Sequence, residues 1–342
     1  MKGLPVQPPP EGKPAASAAV ALSRDAPARD KHLRGKLARD ARAQETRQGE
    51  NVRQRVGNRF RRHPGAVAGF IVLSLLVLGV LLAPLSPYDP DASRISQRFQ
   101  PPSLQHPMGT DPLGRDLLTR ILFGGRISLS VGIMVVAITL GIGVTIGAIA
   151  GYAGGILDTI LMRITDATLT LPSLLVLILL SAILREVDLP ILKRNSVVTI
   201  ALVIGLLSWT TFARLVRATF LTLRELDFVT ASRSLGASAV WIVRKHILPN
   251  AIGPIIVEST LELGYAIIEE SGLSFLGFGI QPPTASWGNL LSNAQENFLR
   301  YPWLAIFPGL MIFLAIISVN YIGDGLRDAF DPYKVLQKAG EL

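Results

Sequence analysis

The sequence predicts an all-α membrane protein with six transmembrane helices. Three observations carry that expectation. The 342-residue chain is 49% hydrophobic and 17% charged, with a mean hydropathy of +0.41, whereas a soluble domain carries about a quarter charged residues. Its apolar residues fall in six long, nearly uncharged runs, and about 20 residues at 1.5 Å rise cross the hydrocarbon core of a bilayer. Charge is also partitioned along the chain. Residues 1–63 hold 15 Lys/Arg against 6 Asp/Glu, and residues 64–342 hold 19 of each. The net charge of +9 therefore belongs to the amino-terminal segment.

Residues 1–62 read as a basic, disordered cytoplasmic tail. They are rich in Pro, Ala and Arg and nearly free of aromatics, so they cannot bury enough apolar surface to offset the entropy of ordering. A polar surface helix is expected within them, about His32 to Arg55. The first apolar run begins only near Gly65, too late for a secretory signal. Arg59, Arg61 and Arg62 abut that run and read as a cytoplasmic membrane anchor rather than a nucleic-acid patch.

The transmembrane domain is expected over residues 63–342, with spans at about 65–85, 127–150, 169–184, 197–212, 252–278 and 303–322. The second is rich in glycine, which suits close helix packing in lipid. The loop of residues 86–126 begins Pro-rich, and GRDLLTRILF (Gly114–Phe123) predicts a short interfacial helix. Its GTDPLGRD motif offers Gly109, Thr110, Asp111, Gly114, Arg115 and Asp116 as an outer-face site, or as a turn shaped by its glycines and Pro112. Asp158 and Asp166 flank Arg163 in a connection that reads as a locally salt-bridged amphipathic helix. Trp287 and Trp303 border the last span as interfacial aromatics. With the amino terminus inside, the inner segments carry 25 Lys/Arg and the outer ones 9. An even number of spans then leaves both termini in the cytoplasm.

The longest internal cytoplasmic loop, residues 224–250, contains TASRSLGASAVWIVRKHILPN. Phe228, Ala231 and Leu235 share a side at helical spacing. Gly236 can take a positive φ and end that helix. A second amphipathic segment follows at Ala239–Ile247, and Leu248-Pro249 marks a break before the fifth span. Two short helices on a glycine turn make a knob suited to a groove on another protein.

The fifth span carries IVESTLELGYAIIEESG. Glu258, Glu262 and Glu269 lie within roughly 40° of one another on a helical wheel, with Glu270 about 100° from Glu269. Counted from Ala251, Glu258 sits about 10 Å into the membrane and Glu269 about 27 Å. Carboxylates there cost several kcal/mol unless they face water or a partner. A water-filled translocation path lined by Glu258, Glu262, Glu269 and Glu270 is one reading; pairing with cations or helix capping is the other.

No catalytic or metal chemistry emerges. Cysteine is absent, the four histidines (His32, His63, His106, His246) have no ligand spacing, and no G-x-x-x-x-G-K-[ST] phosphate loop occurs. No nucleophile–base pair stands out.

The loop resembles the EAA loop of ABC-importer permeases, in which E-A-A-x-x-x-G is followed by an apolar position and L-P. Ala231, Gly236 and Leu248-Pro249 keep that spacing; Thr230 and Ser232 stand in place of Glu and Ala, and KHILPN resembles the peptide/nickel subfamily. MGTDPLGRDLLTRILFGGRISL, GYAGGILDTILMRITDATLTLPSLL, LSFLGFGIQPPTASWGNLL and GDGLRDAFDP extend the resemblance to the second, C-type permease subunit of dipeptide/oligopeptide/nickel importers, over about Arg59 to Tyr333. The resemblance implies a type I importer permease fold in a bacterial inner membrane. It implies a heterodimer with a second permease, an external peptide-binding protein, and two cytoplasmic ATPases that carry the Mg-ATP, this chain having no ATPase site or cofactor of its own. Asp227, Phe228, Thr230, Ala231, Arg233, Gly236, Ala237, Ser238, Leu248 and Pro249 would then be the ATPase-coupling residues. The substrate class is short peptides, with nickel chelates or another small solute as the alternative. A proton-coupled carrier using the membrane glutamates is a third reading, against which the docking knob argues.

Overall fold

The computed structural model describes residues 52–187 and 196–330. The expected tail, up to residue 51, lies outside them, as does part of the outer loop after the third span. Residues 56–330 fall within one compact unit, and residues 1–55 belong to another.

Helix α1 (Val52–Arg61) ends beside α2 (Pro64–Leu81). The His63 ring accepts a hydrogen bond from the Ala66 N–H (3.1 Å) and Pro64 occupies the first turn, where its missing N–H costs nothing. Most of α2 is exposed and apolar, a lipid-type surface; it buries Ala66 and Gly69 against the last helix. A Cβ on Gly69 would stand 2.6 Å from the Ser318 carbonyl oxygen.

After two short 3₁₀ turns, α3 runs from Leu117 to Ala153, about 55 Å at 1.5 Å per residue. Asp116 caps it, accepting from the Thr119 N–H at 2.8 Å. The separate interfacial helix expected at Gly114–Phe123 is therefore not separate. It is the first turns of a helix continuous with the second span. Gly124 and Gly125 do not interrupt it; they admit the backbone of Ser286 and the ring of Trp287.

Helix α4 (Gly155–Leu169) meets α5 (Ser173–Glu186) at a 90° bend around Thr170–Pro172. The helix in the expected third span thus begins at Ser173, and it is long enough to be a candidate span only together with α4. Helix α6 (Ser196–Arg224) continues well past the expected end at 212. Its added turns carry Arg214 and Arg217, which pair with Asp166 and Asp158. That corrects the local pairing expected around Arg163: the aspartates of α4 bridge to α6. Helices α3 and α6 meet closely along Gly143, Gly147 and Gly151, where an added Cβ would come within 2.5–2.7 Å of α6 atoms.

Then come α7 (Asp227–Ser234), α8 (Ala239–Ile242), a π-helical turn at Val243–Ile247, and α9 (Leu248–Phe275). The break expected at Leu248-Pro249 is absent, since helical backbone continues from Ala239 to Phe275. The π turn absorbs the mismatch and Pro249 lies in the first turn of α9. Helix α10 (Trp287–Ala294) carries a Ser286/Asn289 capping box, and α11 (Trp303–Phe330) closes the described chain. Trp287 is not interfacial. It is 1% exposed and its indole N–H donates to the Ile121 carbonyl at 3.0 Å.

Among the described residues five helices are long and apolar enough to cross a membrane, and α4 with α5 makes a sixth if the bent pair is one span. The expected all-helical, six-span architecture stands, with corrected boundaries.

Candidate docking loop and membrane carboxylates

The knob forms as its sequence dictates. Gly236 has φ +80°, and the Ala237 N–H reaches back to the Ser232 carbonyl (3.1 Å) while the Gly236 N–H reaches Arg233 (3.0 Å), so the last carbonyls of α7 are satisfied. Ser238 caps α8, accepting from the Trp241 N–H at 3.4 Å. The buried residue of α7 is Val229, which leaves Phe228, Ala231 and Leu235 exposed. Val229 joins Ile242 and Ile247 in a cluster with Val216 and Phe220 of α6. The His246 ring packs against Trp241 (5.0 Å) and Phe228 (5.7 Å), tying α7 to α8. Arg233 lies over the Tyr152 ring at the end of α3.

What this packing leaves outside is apolar. Leu235 is 88% exposed, and Phe228, Val240 and Trp241 are exposed as well. Asp227, Thr230, Ala231, Arg233, Gly236, Ser238 and Pro249 share that exposure, while Ala237 and Leu248 are half-buried. Basic Arg244 and Lys245 border Trp241 and Val240 around a shallow surface concavity.

The carboxylates of α9 divide. Glu262 is 6% exposed, beside Thr139 of α3 and Ser208 of α6. Glu258 and Glu269, one on either side of it, are half-buried, and Arg327 of α11 is the cation near Glu258. Glu270 is fully enclosed: its carboxylate accepts from the Ser128 and Ser274 hydroxyls, both at 2.7 Å. Those hydroxyls accept in turn from the Trp287 N–H (3.2 Å) and the Ile280 N–H (2.9 Å). Glu270 is a tie between α3, α9 and α10, which corrects its placement with the path-lining residues.

The sequence pattern described as "binding-protein-dependent transport system inner membrane component" matches residues 143–334, more than half the chain and the whole of the docking loop and α9. This chain belongs to that family. The pattern described as the N-terminal TM domain of oligopeptide transport permease C matches residues 52–102 of the same inner-membrane component. It is 42% identical to a protein named as a peptide permease in Brucella suis biovar 1, over 81% of this chain and 90% of the relative. It is likewise 42% identical to the dipeptide transport system permease protein DppC of Alkalihalophilus pseudofirmus, over 78% and 85% of the two chains. A solved inward-facing form of the MetNI methionine ABC transporter aligns with 62% of this chain and 96% of its own, at 19% identity and a TM-score of 0.49. The family places the permease component in the bacterial inner membrane as a multi-pass protein and sets aside the stand-alone proton-coupled carrier.

In this permease component the GTDPLGRD motif is a folded network rather than an open surface. Gly109 and Gly114 have φ +79° and +72°, and a Cβ on Gly114 would fall 1.8 Å from the Arg94 carbonyl oxygen, which only glycine allows. Thr110, Asp111, Arg115 and Asp116 are all buried. Asp111 accepts from the Arg115 side chain at 2.6 Å, and Asp116 binds the Thr119 hydroxyl (2.7 Å) and His106 Nδ1 (2.8 Å). Such enclosed side chains shape the outer loop; they do not offer themselves to a visiting protein. Arg120 was not singled out in the sequence, yet it is fully buried and donates to the Pro90 carbonyl at 2.9 Å, with Asp91 and Asp111 nearby. Its signal was available, as an arginine set among apolar residues in LLTRILF.

Proposed function

We propose that this chain is one of two non-identical permease subunits in an ATP-driven importer of short peptides. It forms with the second permease the membrane path for peptides that an external binding protein delivers. Of two cytoplasmic ATPases, which carry the Mg-ATP, one seats on the 224–250 loop of this chain. Chemistry therefore resides in the partners, and this chain supplies the path and the docking knob. The names of the relatives favour peptides over nickel chelates as cargo.

The observation that carries the docking role is the knob: an apolar surface of Phe228, Leu235, Val240 and Trp241 is left outside while Val229, Ile242 and Ile247 anchor it. An exposed apolar patch rimmed by charge marks a protein partner. Thr230 offers that partner a neutral hydroxyl in place of a carboxylate, so the seat rests more on apolar contact than on a charge-assisted bond.

Gly236→Val tests this. Nothing lies within 4 Å of a Cβ at Gly236, so space does not object, but a β-branched residue strongly disfavours φ +80°. The variant is expected to reach the membrane in normal amount, to lose copurifying ATPase subunits, and to take up labelled peptides at least about tenfold more slowly, the effect of losing about 1.4 kcal/mol of seat. Unchanged ATPase copurification and uptake would reject the docking assignment.

A further inference from the structure

The Glu262 carboxyl is an oddity that the docking knob does not use. It lies among α3, α6 and α9 with Thr139 and Ser208 beside it. The Thr139 and Ser208 hydroxyls stand as donors to this carboxyl, yet one of its oxygens is buried with no hydrogen-bond partner. A buried carboxyl oxygen left without a partner is expensive unless a donor visits it. Helices of this chain themselves enclose Glu262 and Thr139.

The flanking residues give the site a direction. Glu258 and Glu269 share the Glu262 face and are half-buried where Glu262 is closed. Eleven residues separate them, about 16 Å along the helix, roughly half a hydrocarbon core. The row is open at both ends and shut in the middle. Arg327 stands near Glu258, and the hydroxyls of Thr139 and Ser208 stand beside Glu262.

We propose that Glu262, Thr139 and Ser208 form an occluded cation subsite, the constriction of the path, which takes the side-chain ammonium or guanidinium group of a passing substrate between Glu269 and Glu258. The site rests on the importer reading above and narrows its cargo to substrates carrying positive charge. A protonated amine supplies up to three donors and a charge, matching an acceptor-lined site, whereas an acidic side chain meets like charge there. The present arrangement is the shut state, and separation of α6 from α9 admits the cargo.

The test is uptake by cells lacking the chromosomal gene and carrying the whole importer with wild-type, Glu262→Gln or Glu262→Asp chains. Initial rates at saturating lysyl, alanyl and aspartyl tripeptides are compared as variant-to-wild-type ratios, so the binding protein's preference cancels. Glu262→Gln is expected to slow lysyl peptide about tenfold more than aspartyl peptide, the size of one lost charge-assisted hydrogen bond, and Glu262→Asp is expected to restore most of the difference. Equal losses for every peptide, with or without reduced copurification of the second permease, would overturn the subsite and leave the importer standing. No uptake of any tripeptide by the wild-type complex would instead overturn the peptide reading, and this occupant with it.

Discussion

Glu262 and Glu270 stand eight residues apart on α9, one short of a donor and one fully supplied. Glu270 takes two serine hydroxyls that themselves hold the Trp287 and Ile280 N–H groups. Removing it strands both hydroxyls, and each buried unsatisfied group costs about 1–3 kcal/mol. Glu270→Ala is therefore expected to lower the stability of the purified complex by about 2–4 kcal/mol, read as a melting shift in detergent. A wild-type melting curve would remove Glu270 from its structural role. The wheel angle already set Glu270 apart from the stripe, since about 100° puts it on another face. What it faced was not legible: Ser128 is 142 residues away in sequence, and only tertiary packing brings the two together. Thr139 and Ser208 escaped notice for the same reason, being ordinary small residues in apolar helices.

At the scale of elements, the apolar runs located the five long membrane helices and the bent pair α4–α5, because lipid demands length and low charge together. Their ends were misplaced wherever charge belonged to a helix. Arg214 and Arg217 look like the start of a loop until Asp166 and Asp158 of α4 are found opposite them. Arg217 grips Asp158 with two hydrogen bonds, from Nε and from Nη2 (2.7 Å to Oδ2). Arg217→Asp would set two carboxylates together and is expected to lower the melting temperature and the yield in membranes. Adding Asp158→Arg is expected to recover both, a reversal that an independent role for either residue would not allow. Because the pair is partly exposed, its removal rather than its reversal is worth only about 1 kcal/mol or less. The knob was legible in full outline, since a glycine at a helix end and a serine cap are local signals. Which of its apolar residues turns inward was not, because Val229 and Phe228 are neighbours and only the α6 surface chooses between them.

Across the whole molecule, the family patterns begin at residue 52, and the basic tail precedes them. Deleting residues 2–50 is expected to leave insertion and peptide uptake within about twofold of wild type, a change under 0.5 kcal/mol; a truncated chain that inserts normally but transports nothing would make the tail a working part. The remaining consequence lies in the unbroken helix from Ala239 to Phe275. It carries the second half of the knob at one end and all four glutamates further along, about 55 Å in all. A rod of that length transmits a push by rotating and sliding as one piece, with little slack. Its compliant points are the π turn at Val243–Ile247 and Pro254, which lacks an N–H to donate. A displacement imposed at Trp241 would have to cross both points before it reached Glu258, so the stiffness of the π turn and of the Pro254 turn together would set how much of it is lost on the way.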